Sequence, residues 1–168
     1  MRGQKPDEDI RRPMQWSEKQ NAGFTNGTPW RSVDTSYLIF NVTDETQRPD
    51  SLLQHYKKLI LLRNQNPALR IGDLNTLRPG NSGIFATLRV SKEQAVMVII
   101  NLTAAPVKDY GLMLVKGTLP TGLYLAQPLT DSGILTSLTV DVNGSFAGYK
   151  PVDEIPAYAT IILQLQIK

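Results

Sequence analysis

The chain has 168 residues, 41% hydrophobic and 20% charged, which fits one globular domain plus a smaller piece and excludes a disordered polyelectrolyte. The net charge of +3 comes entirely from residues 1–70, which hold 11 Lys/Arg against 8 Asp/Glu; residues 71–168 balance at 7 and 7. Neither part has a cationic run or a basic stripe interleaved with aromatics, so no nucleic-acid partner is expected, and the lack of cysteine removes disulfides, thiolate nucleophiles and cysteine-based zinc sites.

The opening "MRGQKPDEDI" has no apolar signal-peptide core, which leaves the compartment open. No membrane is expected, since the longest apolar runs, "LILL" and "VMVII", are far too short to span a bilayer. Residues 1–48 hold both tryptophans, Trp16 and Trp30, amid many Asn, Thr and Ser, with little periodicity. They read as one long irregular segment, a length that is uncommon in a compact domain unless functional. Within it "IRRPMQW", residues 10–16, has neither helical nor strand spacing, and Pro13 restricts Arg12 to extended geometry. Two guanidinium groups beside an indole fit a structural ion pair. They fit equally an arginine projecting into a polar cleft to position a carboxylate or sugar hydroxyls.

"PDSLLQHYKKLILLRNQNP" predicts a helix over 49–66. Pro49 suits its first position and Asp50 its first turn, while Pro67 stops it. Leu52, Tyr56, Leu59, Ile60 and Arg63 share one face, and Leu53 and Leu62 widen the stripe, so the helix should pack against something large. From about residue 69 the period becomes two. "GIFATLRV", "AVMVIINLT", "KDYGLMLV", "GLYLAQPL", "LTSLTVDV" and "PAYATIILQLQI" read as strands, and Asn143-Gly144 signals a type I′ hairpin. About eight short strands predict an antiparallel β-sandwich, with a domain boundary at Pro67 that separates 1–66 from 67–168.

The only histidine, His55, lies mid-helix beside two lysines, which argues against a Ser-His-Asp set and a zinc site. There is no P-loop and no GxGxxG. Asp7-Glu8-Asp9, Asp44-Glu45 and Asp153-Glu154 sit in polar, loop-like context and read as solvated charges; Asp7–Asp9 lacks the EF-hand spacing for a calcium loop. Phe146 and Tyr149, in "NGSFAGY", are the candidate platform if the sandwich binds sugar directly.

"KPDEDIRRPMQW", "NAGF", "PW", "NV" at 41–42 and "DSLLQHYKKLILLRNQNPALRIGDL" resemble, in order and spacing, the end of the catalytic barrel in the α-amylase family of glycoside hydrolases. The likeness is greatest to the branch of oligo-1,6-glucosidases, α-glucosidases and trehalose synthases. It implies that residues 1–48 are a loop over the mouth of a (β/α)8 barrel. It further implies that 49–66 are the last barrel helix and 67–168 the family's Greek-key β-sandwich C-terminal domain. Such enzymes cleave α-glucosidic bonds with retention, using an Asp nucleophile and a Glu acid/base about 5–5.5 Å apart. The resemblance places these carboxylates on earlier barrel strands, so no catalytic residue is expected in this chain and the chain alone is expected to be inactive. Arg11 matches the arginine of the family's "RTPMQW" pattern, which contributes to substrate positioning; Arg12 stands where relatives often have threonine. Arg11 and Arg12 are therefore the candidate substrate-binding residues, and no metal ligand is expected. No cofactor is expected either, and any structural calcium would belong to the missing barrel. The expected partner is an α-glucan or malto-oligosaccharide, with self-association through the helix as a further expectation. The alternatives are a trehalose synthase-type isomerase or transferase and a carbohydrate-binding sandwich.

Overall fold

The structure, a computed structural model, describes residues 10–130 and 133–168. The chain forms two compact units that divide between Leu61 and Leu62. No helix among the described residues is long and apolar enough to cross a membrane.

The first unit is not the structureless loop expected over 1–48. Two 3-10 turns, Gln20–Gly23 and Thr35–Leu38, precede α1, Val42–Gln47, and each element has a local cause. Asp34 caps the second turn by accepting from the Ser36 N–H at 2.9 Å, and Asn41 caps α1 by accepting from the Asp44 N–H at 2.9 Å. The next helix, α2, is Leu52–Gln65 rather than 49–66. Pro49 is not its first residue. Ser51 provides the cap instead: its hydroxyl accepts from the Gln54 N–H at 3.2 Å and its carbonyl from the His55 N–H at 2.9 Å. None of the fourteen residues of α2 is buried, so the apolar stripe is open to water.

Pro67 does end α2, but it also opens a new helix, α3, Pro67–Ile71, where its missing N–H costs nothing at the first position. Asn66 is extended at the break, as a residue before proline prefers. A side-chain amide network fixes this junction within the second unit. Gln94 accepts from the Ala68 N–H at 3.2 Å and donates to Asn66 at 2.7 Å and Gln164 at 3.1 Å.

Among the described residues nine strands follow: β1 Asp73–Thr76, β2 Arg78–Pro79, β3 Ile84–Val90, β4 Ala95–Asn101, β5 Leu112–Leu114, β6 Gly122–Pro128, β7 Leu138–Val140, β8 Phe146–Tyr149 and β9 Thr160–Ile167. They form two antiparallel sheets, one of six strands in the order β1-β3-β4-β9-β6-β7 and one of three, β2-β5-β8. The protein is thus mainly β and antiparallel, as expected. Both sheets contribute to a single core that includes Leu88, Met97, Ile99 and Leu163 from the larger and Leu112, Phe146 and Tyr149 from the smaller. The alternation of Ile161, Leu163 and Leu165 into this core is the period-two signal of β9 made visible.

The Asn143-Gly144 turn differs from expectation. A type I′ turn needs positive φ at both central residues, whereas here Gly144 (φ +70°) has it and Asn143 does not. The Gly144 N–H donates to the Asp141 carbonyl at 3.1 Å, and the Asp141 carboxylate accepts from the Asn143 and Ser145 N–H groups at 2.8 and 2.9 Å. The turn therefore carries the chain from β7 in the larger sheet to β8 in the smaller one, and does not close a two-stranded ladder.

Candidate functional site

Residues 10–16 are held within the first unit by hydrogen bonds to three later segments. The Arg12 guanidinium donates to the Asp34 carboxylate at 2.9 Å, and the Gln15 amide donates to the Ser36 hydroxyl at 3.1 Å. The Gln15 carbonyl accepts from the Val42 N–H at 3.0 Å, and the Trp16 carbonyl from the Thr43 N–H and hydroxyl, both at 3.0 Å. The Trp16 and Ser17 N–H groups both donate to the Ala22 carbonyl, at 2.9 and 3.0 Å. That contact closes a left-handed turn in which Asn21, Ala22 and Gly23 all have positive φ. Strand spacing is absent because the bonding partners lie 6 to 27 residues away and belong to no ladder.

Both candidate arginines, Arg11 and Arg12, are exposed, and the Arg12 guanidinium pairs with Asp34. Asp34 is the residue that sequence reasoning missed. Its carboxyl is held below the ordinary aspartate range, first by the Ser36 N–H, then by the Ser36 hydroxyl, with Arg12 adding a smaller Coulombic pull. The signal that could have found it is the Asp-x-Ser spacing of a cap at 34–36.

Met14 and Trp16 are half exposed and Trp30 is exposed. Met14 lines a groove of about 500 Å³ with Arg12, Phe40, Val42, Leu52 and Tyr56. Its walls are largely apolar, and the carboxylate in it, Glu45, is occupied: it accepts from the Leu53 N–H at 3.1 Å and pairs with Arg48 at 2.6 Å. Arg48 also pairs with Asp44 at 3.1 Å. Asp44-Glu45 is thus a clamp at the start of α2 rather than a pair of solvated loop charges. Asp7-Glu8-Asp9 lies outside the described residues. Glu154 pairs with Lys108 at 3.3 Å, and among the described residues no three His, Cys, Asp or Glu side chains gather as a metal site would require. His55 stacks edge-on with Tyr56 at 6.5 Å on the exposed helix.

The sugar platform proposed for the sandwich does not form. Phe146 and Tyr149 are only 6% and 7% exposed and pack edge to face at 6.2 Å inside the core. The Tyr149 hydroxyl donates to the Thr136 carbonyl at 2.9 Å, and burial pushes its pKa up.

Comparison with known proteins gives these features a family. The family described as alpha amylase, catalytic domain, matches residues 1–72. A probable oligo-1,6-glucosidase 2 of Bacillus subtilis (strain 168) is 40% identical over 93 residues, 55% of this chain and 17% of that protein. The chain belongs to the α-amylase family of glycoside hydrolases. An oligo-1,6-glucosidase of Halalkalibacterium halodurans is 31% identical over 143 residues, 85% of this chain and 24% of the relative. The crystal structure of the trehalulose synthase MutB from Pseudomonas mesoacidophila MX-45 superposes with a TM-score of 0.66 at 27% identity, covering 95% of this chain and 26% of that one. The chain therefore spans about a quarter or less of the length of these family members.

Proposed function

We propose that the chain is the C-terminal part of an α-glucosidase of the α-amylase family that cleaves α-glucosidic bonds in starch-derived oligosaccharides with retention. The match of residues 1–72 to the family's catalytic domain carries this reading. Residues 1–48 would lie over the mouth of the (β/α)8 barrel, 49–66 would supply its last helix, and 67–168 would be the Greek-key sandwich that supports it. A solvent-open apolar stripe on α2 is what a helix made to be covered by a barrel would present.

In this reading the chemistry divides by residue. The nucleophile and acid/base carboxylates stand about 5–5.5 Å apart on other parts of the enzyme. Asp34, Asp44 and Glu45 do not substitute for them, because each is tied to an arginine, and Asp34 and Glu45 also to backbone N–H groups. Arg11, which matches the arginine of the family's pattern, is assigned to position the sugar, and Arg12, paired with Asp34, helps to fix the loop. The pure 168-residue chain should leave isomaltose, maltose and 4-nitrophenyl α-glucoside intact, and measurable turnover would overturn the division. Exchanging this chain for the matching residues of the Bacillus subtilis relative should give an active chimera. In it Arg11→Ala raises KM, and Arg12→Thr changes KM less. An inactive but folded chimera counts against the assignment.

A second reading follows from the likeness to trehalulose synthase MutB: an isomerase that moves a glucosyl unit instead of releasing it. Product analysis of the chimera with sucrose separates the two, as free monosaccharides or a rearranged disaccharide.

A further inference from the structure

The chain has nine asparagines, and six of them have side chains tied by hydrogen bonds. The side chains of the other three, Asn26, Asn64 and Asn143, have no hydrogen-bond partner among the described residues, and all three residues are exposed. Asn26 and Asn64 belong to the segments that the proposed barrel would cover, and Asn64 is followed by Gln65 inside α2. Asn143 belongs to the β unit, and glycine follows it. Asparagine is thermolabile because its side-chain amide carbon can be attacked by the next backbone nitrogen. Glycine at that next position leaves the approach open, having no side chain to obstruct it or to restrict the backbone.

We propose that Asn143 is a site of spontaneous deamidation, and that the reaction loosens the turn joining the two sheets. The Gly144 nitrogen gives up its proton to solvent and attacks Cγ of Asn143. The Cγ–Nδ2 bond breaks, and the amide nitrogen takes a proton from water and leaves as ammonia. Water then opens the cyclic imide at either carbonyl, giving aspartate or isoaspartate at 143. Nothing is oxidised or reduced, and water is the only co-reactant. One bond must open first, from the Gly144 N–H to the Asp141 carbonyl at 3.1 Å, and an exposed turn opens without unfolding the sheets. The exposure of Asn143 belongs to the far edge of the β unit. The chain enters that unit through α3, whose Ala68 carbonyl accepts from Arg89 of β3 at 3.2 Å, whereas Asn143 follows β7, the opposite edge of the same sheet from β1. The turn has no slack for a product with a longer backbone. A Cβ on Gly144 would lie 2.5 Å from the Gly117 carbonyl oxygen, and one on Gly117 would lie 2.6 Å from the Gly144 oxygen. Isoaspartate adds a carbon to the chain at this contact. Either product also puts a second carboxylate beside Asp141, which holds the Asn143 and Ser145 N–H groups at 2.8 and 2.9 Å.

The test needs only the 168-residue chain, kept warm at mildly alkaline pH and then digested with trypsin for mass spectrometry. Lys150 precedes Pro151 and is not cut, so residues 117–168 form one fragment with a single asparagine, Asn143. That fragment should gain the mass of an amide turned into an acid, with isoaspartate in excess over aspartate. The fragment 71–89, which holds the hydrogen-bonded Asn75 and Asn81, should stay unchanged over the same time. The converted chain should melt about 4 °C or more below the fresh one. Asn143→Gln, whose longer side chain closes its ring far more slowly, should keep both its mass and its melting temperature. An unchanged 117–168 fragment, under conditions that modify the same chain unfolded in guanidinium, overturns the proposal. So do equal modification of fragment 71–89, a converted chain that melts with the fresh one, and an Asn143→Gln variant whose melting temperature drifts as far as the parent's.

Discussion

Asn101 is a buried polar residue whose removal should damage the β unit. It is 1% exposed at the end of β4. Its amide donates to the carbonyls of Ala105 (2.8 Å), Ile155 (3.1 Å) and Pro156 (2.9 Å), and its oxygen accepts from the Thr103 N–H and hydroxyl at 2.9 and 2.8 Å. Asn101→Ala removes all five contacts, but the cost is not five times one bond. The Ile155 carbonyl still accepts from the Val107 N–H, the Pro156 carbonyl from the Ala159 N–H, and the Ala105 carbonyl from the Thr103 hydroxyl. The Thr103 N–H alone is orphaned, at about 1–3 kcal/mol, and the lost bonds add about 1 kcal/mol net, for a total near 3 kcal/mol. With a urea slope of about 1–3 kcal/mol per molar, the unfolding midpoint should fall by about 1–3 M. Asn101→Asp replaces the donor by an acceptor facing three carbonyl oxygens. Its carboxyl should be raised above the ordinary value of about 3.9, so the penalty should grow as pH climbs from there and exceed that of Asn101→Ala at neutral pH. Urea titrations followed by circular dichroism at pH 4 and 7 measure both. An Asn101→Ala midpoint indistinguishable from the parent's, or an aspartate variant equally stable at both pH values, would refute the reasoning.

Three smaller effects follow from the same geometry. Gly144→Ala forces a Cβ to 2.5 Å from the Gly117 carbonyl oxygen in a left-handed conformation, where the conformation alone costs roughly 1–2 kcal/mol, so the melting temperature should fall by at least about 4 °C. Glu45→Ala removes the acceptor of the Leu53 N–H and the partner of Arg48, and should reduce stability by about 1 kcal/mol together with helical signal at 222 nm, whereas Glu45→Gln should recover part of the loss. Asp34, held below its ordinary pKa, stabilises the fold above about pH 4 and loses that contribution as pH falls through its lowered value. In Arg12→Thr its NMR titration should move up yet stay below the ordinary range, because the Ser36 donors are the larger cause, and in Asp34→Asn the acid-dependent part should vanish.

The strands that announce themselves are the long, largely buried ones. In β3, β4 and β9 the inward positions are filled by Ile, Leu, Val, Met and Ala over seven or eight residues, long enough for a period of two to be read. β1 is "DLNT" at an edge of the larger sheet, where no burial demands apolar residues, and β2 is two residues long. In β8 the buried positions are Phe146 and Tyr149, three apart, with Gly148 at φ +68° between them and a register shift against β5. That spacing imitates a turn, and the aromatic pair looked like a surface platform for that reason. Around IRRPMQW the family was legible as a pattern of residues in order, whereas the contacts were not. Arg12 meets Asp34, and Trp16 meets Thr43, through bonds that follow no period.

Among the described residues, every member of the hydrophobic core cluster lies between Leu77 and Leu165, and none comes from the first unit. The buried tyrosines that close the core also find their acceptors there: Tyr110 at Val152, Tyr124 at Pro120 and Tyr149 at Thr136. The amide network that seats α3 likewise draws only on Asn66, Ala68, Gln94 and Gln164. Stability that rests on burial should therefore survive deletion of residues 1–61. A chain of residues 62–168 should unfold in one cooperative transition, with a urea midpoint within about 0.5 M of the intact chain's sheet signal. Residues 10–61, with four buried residues, should show no cooperative transition of their own. If the shortened chain instead lost cooperativity, part of the stability of the β unit would have to come from residues that supply nothing to its core.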